Sequence, residues 1–132
     1  EPPDEYLFHA ASSGNVPEVL STLQEAMFRN AMVIRGEEGL SAALGTVERL
    51  SADLSLCPSA DVRAIAQTRR LTGRLHTAEA ILKAALLRRE SRGAHYRADY
   101  PEADPAQSSP IIVSQDSGAI RARFTKEDVP CS

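Results

Sequence analysis

The chain has 132 residues, about one domain's worth, with room for a single core of modest size. Hydrophobic residues are 42% and charged residues 25%, a soluble globular balance, and aromatics at 5% with no Trp leave the core to Ala, Leu, Val and Ile. A formal net charge of −3 and a pI near 5.6 argue against polyanion binding through bulk charge, and no apolar run approaches the roughly 20 residues of a membrane span.

Residues 1–14, EPPDEYLFHAASSG, read as a linker or N-terminal extension. Pro2 and Pro3 block helix, Tyr6, Leu7 and Phe8 are apolar enough to lie against a neighbouring element, and His9 has no partner in sequence. No signal-peptide pattern opens the chain. Glu1 stands where a Met would, so the opening reads as a stretch entered midway, and the expectation is a piece of a longer polypeptide.

Asn15 is a candidate cap for a first helix, with Pro17 in its first turn and Glu18 three residues after the cap. Val16, Leu20, Leu23, Met27, Ala31 and Ile34 make one face at steps of three and four, Arg35 falls in the last turn, and Gly36 offers the left-handed residue that ends helices. Glu37 and Glu38 open a second helix, where negative charge suits the exposed N–H groups. Its face runs Leu40, Ala43, Leu44, Val47, Leu50 and Leu54, and because Gly39 and Gly45 lower its propensity, tertiary contact must hold it. Pro58 bars its continuation through LSLCPS.

Ser59 is the expected cap of a third helix, with Asp61 in its first turn, reaching to about Glu90. Leu71, Leu75, Ala78, Leu82 and Ala85 recur at a near-heptad spacing, Gly73 marks a bend or break, and Gly93 is the expected terminator. YPEADPAQSSP then reads as an extended loop. Beyond it, Ile111, Ile112 and Val113, the turn residues Asp116, Ser117 and Gly118, and Ile120, Ala122 and Phe124 alternating with Arg121 and Arg123 predict a β-hairpin. A lone hairpin is marginal in water, so it must lie on the helices or on another domain.

The predicted fold is mainly α: a three-helix up-down-up bundle of spectrin-repeat type over 15–93, a motif loop over 94–109, a small C-terminal β-hairpin over 110–125 and a polar tail over 126–132. Neither repeats nor low-complexity tracts interrupt it.

The densest chemistry is RRESRGAHYRADYPEAD, Arg88 to Asp104. One reading makes it a cationic pocket for a carboxylate or phosphate, with His95 as acid or donor among Arg92 and Arg97. The blander reading is favoured: the arginines bridge acidic residues and carbonyls and fix a sharp exit from the helix. No second histidine and no nucleophile–base pair stands nearby, and Glu90, Asp99, Glu102 and Asp104 nearly cancel the positive charge. A nucleic-acid patch on Arg88, Arg89, Arg92 and Arg97 fails on the same neighbours and on the lack of spaced stacking aromatics. His9, His76, His95, Cys57 and Cys131 show no zinc-ligand spacing, His76 reads as a packing residue, and the cysteines read as free thiols in a reducing compartment. The scattered glycines form no phosphate-binding loop.

ESRGAHYRADYPEAD, Glu90 to Asp104, closely resembles a signature of the succinate dehydrogenase/fumarate reductase flavoprotein family, which includes L-aspartate oxidase. HTAEAILKAALLRRE, His76 to Glu90, looks like that family's long helix into the signature, and LQEAMFRNAMVIRGEEGLSAAL, Leu23 to Leu44, is similar to its first helix and the turn into its second. The resemblance runs in order across residues 16–104 and implies a C-terminal helical domain. The FAD-binding and capping domains that carry hydride transfer with a dicarboxylate would then lie upstream. It further implies no catalytic, cofactor-binding or metal residue in this chain, and a domain-docking role for Glu90, Arg92, His95, Tyr96 and Arg97. Implied partners are the FAD-binding and capping domains of the same polypeptide and an iron–sulfur subunit, in the cytoplasm or peripheral on the inner face of a membrane. AQSSPIIVSQDSGAIRARF departs from the dehydrogenase pattern, which leaves an aspartate-oxidase-like or other soluble reductase parent open beside a respiratory one. The competing class is a freestanding helical interaction module with a different partner; an independent enzyme comes third.

Overall fold

A computed structural model describes residues 16–55 and 61–125, and among these three α-helices hold the aliphatic core. Helix α1 is Val16–Ala31, α2 is Glu37–Ser55 and α3 is Val62–Leu87. The linker at 1–14, His9, the Asn15 cap, Cys57, Ser59, Cys131 and the tail lie outside the described residues.

The periodic stripes become the core. Val19 and Leu23 of α1, Leu40, Ala43, Val47 and Leu50 of α2, and Leu71, Leu75, Ala78, Leu82 and Ala85 of α3 are buried against one another. Removing a Leu such as Leu82 wholly from water contributes about 2 kcal/mol, so this interlayer supplies most of the bundle's cohesion. Gly39 lets α1 and α2 approach closely: a Cβ there would meet the Asn30 side-chain oxygen at 2.8 Å.

Several boundaries differ from the sequence reading, because a side chain or a strand competes with helix. Helix α1 stops at Ala31, and Ile34–Arg35 form strand β1, paired in parallel with β2, Tyr96–Arg97. Gly36 is not left-handed; its carbonyl accepts the first bond of α2, from the Leu40 N–H at 3.0 Å. Asp61 rather than Ser59 caps α3, its carboxylate accepting from the N–H groups of Arg63 at 3.1 Å and Ala64 at 3.3 Å. Helix α3 ends at Leu87, short of Glu90, and runs unbroken past Gly73 for about 39 Å at 1.5 Å per residue. Gly93 ends no helix; with φ +58 it sits in a tight turn where Arg92 and His95 exchange two backbone hydrogen bonds.

The hairpin is β3, Ile111–Asp116, and β4, Ala119–Phe124, joined by Ser117 and Gly118, both at positive φ as a two-residue primed turn requires. It lies on α3 through buried Ile120, whose carbonyl accepts from the Lys83 ammonium at 2.9 Å. No helix among the described residues is long and apolar enough to cross a membrane.

Candidate functional site

Helix α3 exits into a segment with almost no apolar core of its own, yet Glu90 and Arg97 within it are 0% exposed. A buried charge is tolerated only when paired and fully hydrogen-bonded. Both meet that condition. The Glu90 carboxylate accepts from Arg92 in a two-pronged fork at 2.9 and 3.0 Å, from an Arg88 guanidinium N–H, and from the Asp104 backbone N–H at 2.7 Å. The Arg92 bonds act first, against the opposing push of burial, and with the Asp104 and Arg88 bonds they hold this carboxyl at about 2 instead of the ordinary 4.5.

Arg97 joins three elements. Its Nη1 donates to the Ala85 carbonyl at 2.8 Å, satisfying an acceptor in the last turn of α3. Nε and Nη2 grip Asp99 at 2.7 and 2.6 Å, and Nη2 reaches Glu37 of α2 at 3.3 Å. The Tyr100 ring lies 5.1 Å from the guanidinium carbon. Asp99 in turn accepts the Glu37 N–H at 3.0 Å, capping α2 from the far end of the sequence. The Arg97 guanidinium, again ahead of the counter-effect of burial, holds the Asp99 carboxyl at about 2 rather than 3.8.

His95 bridges β1 and Arg88, the residue that closes α3. Its Nδ1 lies 2.7 Å from Arg35 Nη1, which can only donate, so Nδ1 accepts and the Nε2–H faces the Arg88 carbonyl at 3.2 Å. Burial lowers its pKa below 6.5, the Arg88 carbonyl opposes that, and the charges of Arg35, Arg97 and Arg88 add to it. The ring is therefore neutral in its Nε2–H form. Arg35 also donates through Nε to the Ala31 carbonyl at 2.8 Å, closing the end of α1.

The remaining motif residues are explained in the same terms. Ser91 Oγ accepts the Arg97 N–H at 2.9 Å and donates to the Tyr100 carbonyl at 2.8 Å. Asp104 caps a 3-10 turn, Pro105–Gln107, and Gln107 exchanges bonds with the backbone of Arg89. The extended loop foreseen for this stretch is thus a hydrogen-bonded knot. Arg35, Glu37 and Gln107 escaped the sequence reading as members of it, because nothing in their local pattern points to partners about 20 to 60 residues away.

Chemically the cluster is closed on itself. The carboxylates of Glu90 and Asp99 are occupied by arginines, and His95 holds both ring nitrogens in bonds. No group of three His, Cys, Asp or Glu among the described residues is placed to hold a metal. What faces outward is a lip of apolar side chains: Phe28 at 72%, Met32 at 55%, Val33 at 72% and Ile34 at 66% exposed, with Tyr96 at 43% across the β1–β2 pair.

Residues 20–130 match the family model described as the fumarate reductase flavoprotein C-terminus. The chain belongs to that family. L-aspartate oxidase from Rhodospirillum rubrum is 43% identical over 89 residues, which are 67% of this chain and 28% of that protein. A fumarate reductase (CoM/CoB) polypeptide from Methanothermobacter marburgensis is 29% identical over 102 residues, 74% of this chain and 19% of that one. In E. coli quinol fumarate reductase a solved chain superposes with a TM-score of 0.76 at 21% identity, covering 89% of this chain and 22% of that one, a likeness in fold. The chain is thus a C-terminal domain of the fumarate reductase, succinate dehydrogenase and L-aspartate oxidase flavoprotein family, spanning 28% or less of these relatives.

Family membership brings FAD into consideration, and the described residues do not fit it. A dinucleotide needs a glycine-rich turn between a strand and a helix whose N-terminal N–H groups are open to the pyrophosphate. Here β1 is two residues long, Gly36 alone separates it from α2, and the Glu37 N–H at that helix start is taken by Asp99.

Proposed function

We propose that this domain braces the FAD-binding and capping domains of a longer FAD-dependent parent of the fumarate reductase, succinate dehydrogenase or L-aspartate oxidase type, and that the chemistry happens outside these residues. The observation that carries the proposal is the apolar lip of Phe28, Met32, Val33, Ile34 and Tyr96 beside a charged knot that fixes its backbone. A patch this apolar on a small domain marks a contact with another surface.

Of the motif residues, Tyr96 and Arg92 present exposed surface to a partner. Glu90, Arg97 and His95 act on docking from behind, by holding β2 against β1. The same proposal extends to the cytoplasm as compartment, and it counts among the parent's further partners an iron–sulfur subunit.

The test uses the full-length parent. Phe28→Asp combined with Val33→Asp should loosen the domain from the rest, seen as flavin loss and faster proteolysis between the domains, and lower dicarboxylate turnover. The same pair should leave helicity unchanged. Full flavin retention and full turnover in the double variant would remove the bracing role. Co-purification of the tagged parent with an iron–sulfur protein checks the further partner.

A further inference from the structure

A second unpartnered surface lies in a groove between α1 and α3, with a volume of about 470 Å³. Helix α2 packs on both of these helices, which touch each other less, and the seam between the two stays open. Leu20 and Met27 of α1 and Ile81 of α3 give it an apolar lining, and no side chain at Gly73 narrows its middle. From Arg70 to Ile81 it follows α3 for about 16 Å, or three turns. A seam of that shape and length seats one amphipathic helix, as the fourth member of a four-helix array.

The charge on the rim selects the occupant. From Val62 to Thr77 helix α3 carries Arg63, Arg69, Arg70 and Arg74 and no acid, in a chain whose net charge is −3. Arg70 and Arg74 are exposed and stand one turn apart on the groove, so they repel each other. No hydrogen bond or ion pair joins either guanidinium to a described residue, and the polar side chain that α1 adds to the lining there, Gln24, is uncharged. Carboxylates on a partner would relieve that repulsion.

We propose that this groove docks a separate protein that presents an acidic amphipathic helix, its apolar residues on the lining and its carboxylates against Arg70 and Arg74. The contrast with the lip decides between a separate protein and the parent's own domains. Phe28, Met32, Val33 and Ile34 form an apolar surface, as permanent contacts within one polypeptide do. The groove is edged by free like charges, which speed encounter and make binding depend on salt, the behaviour of a partner that comes and goes.

The full-length parent is titrated with a fluorescein-labelled helical peptide of about 18 residues, leucines at every third or fourth position and glutamates beside them, and binding is read by anisotropy. The expected result is affinity about ten-fold above that of the same peptide with glutamine for glutamate, falling as salt rises. Arg70→Glu with Arg74→Glu should weaken binding about ten-fold, and a lysine version of the peptide should recover it. Gly73→Leu, which raises helix propensity and meets nothing within 4 Å at its Cβ, should fill the middle and also cost about ten-fold. Gly45→Leu, equally open but on α2, should change nothing. Both glycine variants should retain flavin, which separates this site from the bracing contact of the lip. Equal binding of the glutamine peptide, full binding by Gly73→Leu, or no binding of any peptide would overturn the proposal. So would flavin loss from Gly73→Leu, which would make the groove a contact within the parent.

Discussion

The bundle and the knot at its end solve the same problem with opposite chemistry. Helices α1 to α3 bury Leu, Val and Ala at regular steps, so each residue is replaceable by another of similar volume. Residues 88–107 bury Glu90 and Arg97 with no periodicity, and each of these two charges has named partners. The first region tolerates drift in sequence. The second does not, because removing one member strands a charge or a carbonyl out of water.

That contrast can be broken in order of effect. Leu82→Asp, at the centre of the stripe, should unfold the bundle outright, since an unpaired carboxylate at a site with 0% exposure costs several kcal/mol; a thermal melt by circular dichroism reads it. Arg97→Ala should cost about 3 kcal/mol by leaving Asp99 and the Ala85 carbonyl without their donor, again as a lowered melting temperature. Arg97→Lys should recover little, because one ammonium cannot reach Asp99, Glu37 and Ala85 together.

Acid sensitivity should separate the two regions further. Glu90 and Asp99 have folded pKa values of about 2, below their ordinary 4.5 and 3.8. Their stabilisation is complete above those ordinary values and is lost as pH falls from about 4.5 toward 2. Glu90→Gln should start less stable at neutral pH and lose less across that window, measured as melting temperature against pH. An acid limb identical to the parent's would show that Glu90 contributes nothing through its charge. The smallest effect belongs to the lip: Phe28→Ser should change the chain's own stability by less than about 0.5 kcal/mol, because its side chain is 72% exposed.

The bundle was legible in the sequence because burial there follows local spacing, and Leu71 to Ala85 could be read off at steps of four and three. The hairpin was legible from Asp116-Ser117-Gly118, whose turn chemistry is equally local. Helix ends were not. Ile34 continues the apolar face of α1, yet pairing with Tyr96 draws it into a strand. The motif announced itself as a cluster, but its wiring depends on Arg35 and Glu37, which meet it only after the chain has folded back.

The parallel pairing of β1 with β2 joins positions about sixty residues apart, as do the Arg35–His95 and Glu37–Asp99 bonds beside it. Such closures come late in folding, after the local turns of helix have formed, because the intervening loop must first lose its freedom. The amides of Glu37 and Ala98 should therefore be the last protected during refolding and the first to exchange in the native state. The clasp would open as one unit while the aliphatic helices remain folded.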